Sequence, residues 1–204
     1  MSKRERIHTR LLATAAELSP PLAAAIAATG PLSVPRRAPG VALEDRLFRA
    51  VAGQQLSVKA AATIWARVEA SAGRRRLVNH LAEVDPAALR ACGLSGAKAR
   101  SMRAIAEAAR AGELDPDDLR SLDHTQRSLR LTAIWGVGQW TADMIGLFYF
   151  ADPDIWPEGD VTARKTLRHL TSPRRKTTLS AARFAPARSY LALHMWRCAD
   201  STPA

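Results

Sequence analysis

Apolar residues recur along most of the chain at the three- and four-residue spacing of an amphipathic helix. Leu43, Leu47 and Val51 form one such stripe, and alanine is abundant throughout. The strict alternation of apolar and polar residues that is typical of a half-buried strand is nearly absent. The pattern predicts an all-α protein.

Glycine and proline residues interrupt these apolar stripes and divide the chain into predicted helices. The Pro- and Gly-rich segment 30–40 is predicted to be a linker after the first helix. The predicted helices span about residues 9–28, 42–52, 57–71, 86–91, 97–111, 124–134, 139–150, 161–170 and 186–198.

The charge balance indicates the kind of partner. The chain has 30 Lys and Arg residues and 19 Asp and Glu residues, which gives a net charge of +11. A polyanion is the expected partner, with nucleic acid first and an anionic membrane surface second. The chain has no apolar run near the roughly 20 residues of a membrane span, and its N-terminus lacks a signal peptide's apolar segment. We expect a soluble cytoplasmic protein without membrane attachment, nucleoid-associated if bacterial.

Two cysteines, Cys92 and Cys198, are too few for a four-cysteine zinc or iron–sulfur site. The sequence is compatible both with two reduced thiols and with a disulfide between them. The five histidines show no spacing typical of zinc ligands, and His194 on an apolar helix is interpreted as a core residue.

The stretch LTAIWGVGQWTADM places Gly136, Val137 and Gly138 between two helical segments. Glycine permits φ > 0 and close backbone approach, and the amides of the helix that follows can bind a phosphate. For a bare Gly-x-Gly, an ordinary glycine-capped turn is the more common explanation. The flanking residues decide between the two, because the pattern L-x-x-I-x-G-V-G-x-x-T-A resembles the helix-hairpin-helix DNA-binding motif, with Leu131, Ile134, Thr141 and Ala142 at the matching positions.

Asp160 precedes a basic helix in the segment PDIWPEGDVTARKTLRHL. It is suited to cap the N-terminus of that helix, and it is also a candidate catalytic carboxylate. The two roles are compatible. The helix N-terminus together with Arg164, Lys165 and Arg168 is expected to keep the carboxylate ionised, as stabilisation of a sugar cation requires.

Three further segments extend the resemblance. They are RAVAGQQLSVKAA, GLSGAKARSM and ARFAPARSYLALHMW. With the hairpin and the Pro-x-x-Asp that ends at Asp160, they resemble, in order, the motifs of the helix-hairpin-helix DNA glycosylases, specifically the 3-methyladenine DNA glycosylase II (AlkA-type) branch. The resemblance covers about residues 41–198.

This resemblance implies the HhH-GPD glycosylase fold, with two helical lobes and a DNA-binding cleft. Residues 1–41 would form an N-terminal helix and linker that pack with the C-terminal lobe. Residues 42–145 would form the lobe with the wedge loop and the hairpin. Residues 146–204 would carry the aspartate segment and the C-terminal lobe, with Asp160 where the lobes meet.

The resemblance also implies the site residues. Asp160 would be catalytic, and the base pocket would include Trp140, Trp196, Met144 and Trp156. The wedge into the duplex would be Gln54, Gln55 and Leu56, with Gln55 or Leu56 filling the gap. Phosphate contacts would come from Gly136, Val137, Gly138, Thr141, Lys59, Arg164 and Lys165. No cofactor and no catalytic metal are implied, but hairpin carbonyls near Ile134 to Val137 would bind Na⁺ or K⁺.

Trp140 occupies the position at which strand-cutting relatives carry a lysine that forms a Schiff base. The resemblance therefore implies an enzyme without lyase activity. An indole face attracts a cationic alkylated base by about 0.5–2 kcal/mol, which suits a pocket residue. Trp65 and Trp135 are interpreted as core residues instead.

The implied activity is that of a monofunctional glycosylase of base excision repair, of the DNA-3-methyladenine glycosylase II type. It would act as a monomer on double-stranded DNA containing alkylated bases, flip the base out and leave an abasic site. We expect release of 3-methyladenine and 7-methylguanine, and the hypothesis extends to 1-methyladenine and 3-methylcytosine.

Two other functions stay open on the sequence. A non-catalytic helix-hairpin-helix module would explain the charge and the hairpin, but it leaves Asp160 and the tryptophans unexplained. A glycosylase for oxidised or mismatched bases is less consistent with Trp140. The best-known bacterial pattern carries an additional N-terminal β-containing domain, but only about 50 residues precede the Gly-Gln-Gln motif here, so the resemblance implies a compact form without that domain; Met144 stands where some members are aromatic. The basic runs 74–76 and 174–176 are either phosphate contacts or solvated loop charge.

Overall fold

A computed structural model of the chain describes residues 1–35 and 40–200. Within these residues the chain forms thirteen helices and no strand, which confirms the all-α prediction. The helices are α1 Lys3–Leu18, α2 Pro20–Thr29, α3 Leu43–Gly53, α4 Val58–Ala72, α5 Leu77–Glu83, α6 Pro86–Ala91, α7 Gly96–Arg110, α8 Pro116–Ser121, α9 His124–Thr132, α10 Gln139–Phe148, α11 Val161–Leu170, α12 Thr177–Ala182 and α13 Arg188–Asp200.

The chain divides into two compact units. One consists of Met1–Arg36 together with Gly146–Ala204, and we call it the split unit. The other is Arg37–Ile145, which we call the continuous unit. The segments that build the split unit are therefore far apart in sequence.

The core of the split unit joins the two ends of the chain. Helix α1 packs on α2, and α13 contacts both α2 and α11. The apolar side chains at these contacts are at most 2% exposed, and they include Leu11, Leu22, Ile26, Leu167, Leu191 and Met195. The N-terminal helices thus share a core with α11, the helix that begins after Asp160.

The single helix predicted over residues 9–28 is wrong, because the chain forms α1 and α2 with a break at Ser19. Ser19 is extended, with φ −167° and ψ 124°, and Pro20 is the first residue of α2. A proline disfavours helical geometry in the residue before it, which ends α1 at this point. The Ser19 hydroxyl then donates to the Leu170 carbonyl at 2.6 Å, so the break also fastens α1 and α2 to the end of α11.

The continuous unit is built around α3. This helix contacts α4, α5 and α7, and its residues Leu47, Phe48 and Val51 are fully buried. Helix α7 contributes Met102 and Ile105 to the buried residues of this unit. After Gly53 the chain turns directly into α4, so the turn at residues 54–57 extends from the end of the central helix.

Three short helices, α5, α8 and α12, escaped the sequence prediction. A helix of six or seven residues buries few side chains and shows little periodic pattern, and α8 buries only Leu119, although the equally short α6 was predicted at residues 86–91. Its start was nevertheless readable. Asp115 accepts hydrogen bonds from the Asp117 and Asp118 amides, and Pro116 occupies the first helical position.

Other expectations have mixed outcomes. Gly30 ends α2 with φ +67°, and residues 31–35 are not helical, but residues 36–39 of the predicted linker lie outside the described residues.

Both cysteines are free thiols, so the disulfide alternative is wrong. Across residues 1–35 and 40–200, no group of three or more His, Cys, Asp or Glu residues could hold a metal ion. In the same residues, no helix is long and apolar enough to cross a membrane.

His194 is a core residue, as predicted. It is 1% exposed on α13, its Nδ1 is hydrogen-bonded with the Thr29 hydroxyl, and its ring lies 5.7 Å from that of His8. Burial, and then the charge of His8, lowers the pKa of His194 from 6.5 to about 4.

This lowered pKa predicts that the split unit loses stability in mild acid. Between pH 6.5 and about 4 the unfolded chain binds a proton that folded His194 does not, so stability falls as the pH falls through this window. The total loss is about 3 kcal/mol, complete below the folded-state pKa. Urea unfolding of the protein across this window should show the loss, and His194→Gln should reduce the pH dependence. Exposed His169 provides the control, since His169→Gln should leave it unchanged. An unaltered pH dependence in His194→Gln would contradict the assignment.

Candidate functional site

Asp160 is held by two hydrogen-bond donors in the split unit. It caps α11, and its Oδ1 accepts the Ala163 amide at 2.8 Å. The same oxygen accepts the indole N–H of Trp196 from α13 at 2.9 Å. The expected capping role is therefore confirmed, and a side chain from a second helix also orients the carboxylate, which is only partly buried.

The Trp196 ring is fixed on its other side by packing. It stacks with Phe148, with ring centroids 5.7 Å apart and an angle of 26° between the planes. It also packs against a buried cluster of Leu147, Ile155 and Ala192. The indole N–H is thus directed at Asp160 by a ring that has few alternative positions.

Trp156 packs against the same cluster as Trp196. Its indole N–H donates to Glu158 Oε2 at 2.6 Å, and Glu158 also accepts the Thr177 hydroxyl at 2.8 and 2.9 Å. Of the four expected pocket residues, Trp156 and Trp196 therefore lie in one apolar neighbourhood of the split unit.

The segment that leads to Asp160 is fastened to the first turn of α13. Arg188 donates to both carboxylate oxygens of Asp154, at 2.7 and 2.9 Å, and this hydrogen bonding raises the pKa of Arg188. Ser189 accepts the Ile155 amide at 2.9 Å and donates to the Asp152 carbonyl at 2.7 Å. Sequence reasoning missed these contacts, although the Arg-Ser-Tyr of the last motif and Asp154 of PDIWPEGD supply all of the side chains.

The expected basic contacts are on the surface. Lys59 and Lys165 are exposed, and Arg164 is partly buried. The run 174–176 is exposed between α11 and α12. Arg75 forms an ion pair with Glu83 at 2.5 Å, and Arg76 one with Glu44 at 3.8 Å, so the run 74–76 is partly neutralised by its neighbours.

The two glycines of the hairpin have different surroundings. Gly136 has φ +85°, and a Cβ added there would lie 1.9 Å from Ser101 Oγ and 2.6 Å from Ser101 Cβ. A Cβ added at Gly138 would meet nothing within 4 Å. The first glycine is therefore required by the approach of α7, whereas the second leaves open space beside the start of α10.

Three expected DNA contacts of this unit have side chains directed toward the protein. Thr141 is 1% exposed, and its hydroxyl accepts the side-chain amide of Gln54 at 3.1 Å. A phosphate contact by the Thr141 side chain is therefore not supported, and the Gln54 amide faces helix α10 rather than solvent. Val137 also has a buried side chain, and its amide N–H donates to the Ile134 carbonyl at 3.0 Å.

Gln55 and Leu56 are the residues that the expected wedge turn presents to solvent. Gln55 is exposed in the left-handed region, with φ +57°, and Leu56 is 40% exposed. A left-handed conformation in a residue other than glycine costs roughly 1–3 kcal/mol and is typical of functional turns. The surrounding contacts must therefore hold this turn in place.

Lys98 supplies such a contact, and sequence reasoning did not single it out. Its Nζ donates to the Ala52 carbonyl at 2.9 Å and to the Gln54 carbonyl at 2.8 Å. Partial burial lowers the pKa of Lys98. The residue is the lysine of the GLSGAKA motif, but a position in the first turn of a helix does not reveal which carbonyls it reaches.

The tryptophans of the continuous unit are divided between core and surface. Trp140 and Met144 are four residues apart on α10, hence on one face, and both are partly buried. Trp65 is 6% exposed, as predicted for a core residue. The same prediction is wrong for Trp135, which is 50% exposed at the hairpin and lies under the Arg100 guanidinium, 4.7 Å from the ring centroid.

Comparison with known proteins shows the family to which the chain belongs. The chain belongs to the HhH-GPD superfamily of base excision DNA repair proteins, whose sequence profile matches residues 48–185. It is 32% identical to DNA-3-methyladenine glycosylase 1 of Schizosaccharomyces pombe over 161 residues, which cover 75% of this chain and 71% of that protein. It is 30% identical to DNA-3-methyladenine glycosylase 2 of Escherichia coli over 158 residues, covering 72% of this chain and 55% of the relative.

Solved structures agree with this assignment. A DNA-3-methyladenine glycosidase from Bacillus halodurans has a TM-score of 0.76 at 28% identity, covering 89% of this chain and 85% of its own. The S. pombe 3-methyladenine DNA glycosylase Mag1, in complex with abasic DNA, has a TM-score of 0.75 at 26% identity, with coverages of 92% and 95%. The family resemblance and the fold expected from the sequence are confirmed.

The surroundings of the two hairpin glycines predict effects of very different size for the same substitution. Gly136→Ala places a methyl group against Ser101 at a left-handed φ, so we expect a loss of about 2–4 kcal/mol of unfolding free energy. Gly138→Ala meets open space and should change stability by less than about 0.5 kcal/mol. Urea unfolding measures both. Ser101→Gly should recover part of the Gly136→Ala loss, and equal stability of the two alanine variants would contradict the assignment.

Proposed function

We propose that the protein is a DNA glycosylase of base excision repair that hydrolyses the bond between an alkylated base and its sugar. The observation that carries the proposal is the Asp160 carboxylate, held by the Ala163 amide and the Trp196 indole at the start of α11. Family membership and relatives named 3-methyladenine DNA glycosylases support the same reaction class.

The proposed hydrolysis requires from the protein mainly a correctly oriented carboxylate. An N-alkylated purine is cationic and is already a good leaving group, so a strong general acid is not needed. Positive charge develops on the sugar as the bond breaks, and a fixed negative charge stabilises that transition state more than the ground state. Asp160 would stabilise the sugar cation and orient the water that completes the hydrolysis.

The base must first leave the duplex, which costs a few kcal/mol and less for weakly paired lesions. We propose that Trp140, Met144, Trp156 and Trp196 contact the extruded base. An electron-rich indole attracts a cationic ring by about 0.5–2 kcal/mol, which favours alkylated over normal purines. Stacking on Phe148 keeps the Trp196 ring in place for this contact.

The hairpin would anchor the DNA backbone without reading sequence. Gly138 leaves room for a phosphate to approach the start of α10, and Lys59, Arg164 and Lys165 would add exposed or partly exposed charge. The turn from Ile134 to Val137 offers backbone carbonyl oxygens, neutral hard ligands that suit Na⁺ or K⁺. Such an ion would reinforce the anchor and takes no part in the hydrolysis.

Trp140 is the basis for proposing a monofunctional enzyme. Strand cleavage through a Schiff base needs an amine nucleophile, and the hairpin position that carries lysine in strand-cutting relatives is an indole here. The product would be an intact strand with an abasic site. We propose 3-methyladenine and 7-methylguanine as substrates, with extension to 1-methyladenine and 3-methylcytosine.

Asp160→Asn tests the proposal with little change in structure, because asparagine caps helices about as well as aspartate. We expect the variant to release bases from methylated duplex DNA at least about 100-fold more slowly, since it loses the charge that stabilises the transition state. Asp115→Asn is the matched control, the same exchange at the cap of α8, and should retain full activity. Free bases would be measured by chromatography, and borohydride should trap no covalent DNA complex.

Several outcomes would contradict this function. Tight duplex binding with no released base in the wild type would favour the non-catalytic binding module. Full activity of Asp160→Asn would remove Asp160 from the mechanism. A borohydride-trapped complex would contradict the monofunctional reaction, and release of a single base from a panel of single-lesion duplexes would contradict the broad range.

Trp196→Phe tests the hydrogen bond to Asp160 separately from the packing of the Trp196 ring. Phenylalanine can still stack on Phe148 but cannot donate to Asp160. We expect a single-turnover excision rate lower by about tenfold, the size expected for loss of a hydrogen bond to a charged group, with little change in the Kd for duplex. Trp65→Phe is the control, because the Trp65 indole N–H has no hydrogen-bond partner within the described part of the chain. An unchanged excision rate in Trp196→Phe would mean that the indole does not position the carboxylate.

A further inference from the structure

The turn that presents Gln55 and Leu56 is held by two polar contacts from within the continuous unit. Lys98 donates from α7 to the carbonyls of Ala52 and Gln54, the residues that end α3 and begin the turn. The side chain of Gln54 donates to Thr141 on α10 at 3.1 Å. The turn is thus connected both to α7 and to the second helix of the hairpin.

The Lys98 contact is strong for physical reasons. The last carbonyls of a helix have no partner within the helix and carry partial negative charge, so an ammonium group at that end is favourable. Lys98 is partly buried, and removing its charge from water is costly unless hydrogen bonds replace the lost hydration. The position of the Lys98 ammonium group therefore depends on these carbonyls, and the position of the carbonyls depends on Lys98.

A turn that inserts a side chain into stacked bases has to resist displacement. Extruding a nucleotide costs a few kcal/mol, and a yielding turn would be displaced rather than fill the gap. Gln55 already holds a left-handed φ of +57°, so the free turn would have reason to rearrange. The two contacts of the preceding residue, at the Gln54 carbonyl and side chain, oppose that rearrangement.

We propose that Lys98 is a positioning residue for base extrusion, which holds the Gln54–Leu56 turn rigid while Leu56 or Gln55 replaces the extruded base. The inference rests on the proposed function. The hydrogen bond between Gln54 and Thr141 serves the same purpose from the hairpin side, so Gln54 supports the wedge and does not itself intercalate.

A merely structural cap would behave differently, and the chain offers a matched case. Arg103, also on α7, donates to the Val84 carbonyl at the end of α5 at 2.7 Å. Arg103→Met removes a basic cap from the same helix without touching the turn. If Lys98 acts only through stability, Lys98→Met and Arg103→Met will affect excision alike.

The test measures single-turnover excision on a lesion in duplex DNA and in single-stranded DNA, which needs no extrusion from a paired stack. We expect Lys98→Met to slow duplex excision about tenfold and single-strand excision less than about twofold. Lys98→Arg, which keeps a cationic donor, should recover part of the duplex rate. Arg103→Met should leave the ratio of the two rates unchanged.

A mutant cycle with the two exposed turn residues then shows whether the effect acts through the turn. In a background with both Gln55→Ala and Leu56→Ala, where either inserting side chain is already shortened, Lys98→Met should cost less than about twofold further. Independent, multiplicative effects would overturn the inference. An equal loss on both substrates, or the same duplex-specific loss in Arg103→Met, would also overturn it.

Base extrusion can also be measured without catalysis, so this inference can be tested separately from the proposed function. A fluorescent 2-aminopurine beside an abasic-site analogue brightens when the stack is disturbed. If the wild type brightens it and Lys98→Met does not, the positioning role stands even where no base is released. If both respond alike, the positioning role is wrong, whatever the excision results show.

Discussion

The orientation of the Asp160 carboxylate is the constraint on which the proposed chemistry depends, and several segments of the split unit contribute to it. Asp85, Asp115 and Asp123 cap their helices through backbone amides, as Asp160 does, but Asp160 also accepts an indole N–H from a separate helix. The stacking of Trp196 on Phe148 and the fastening of Asp154 by Arg188 fix the two segments that meet at this hydrogen bond. A helix cap that also had to serve chemistry would need this additional control, because a cap alone tolerates rotation of the carboxylate.

In the continuous unit, residues of one DNA-binding motif serve the packing of the protein and the proposed contact with DNA. The absence of a side chain at Gly136 allows α7 to approach, whereas at Gly138 it leaves open space, although both positions are glycine. Thr141 has a similar double character. It matches a DNA-binding motif, yet its hydroxyl is used inside the protein to hold Gln54. Part of the motif therefore preserves the local shape of the hairpin, and only the remainder would be available to contact DNA.

Helical periodicity and family motifs predicted the fold class, the longer helices and the position of Asp160 at a helix start. They failed where the deciding partner is remote in sequence. Ser19 breaks the first helix through local proline chemistry that was readable, but its hydrogen bond to Leu170 was not. The contacts of Lys98 with α3, of Arg188 with Asp154 and of Gln54 with Thr141 join residues 34–87 positions apart, which no local pattern encodes. Trp135 was misplaced because an aromatic residue beside an apolar stripe is usually buried.

The split unit has a consequence for the order in which the chain is made. The continuous unit is complete once Ile145 has been synthesised, whereas the core around Leu11, Leu22 and Ile26 needs Leu191 and Met195 from the last helix. At about 5–20 residues per second, the N-terminal helices wait roughly 10–30 s for these partners. Helices α1 and α2 thus leave the ribosome well before the helices that bury them, and the unit that carries Asp160 forms only after the hairpin unit can already have folded.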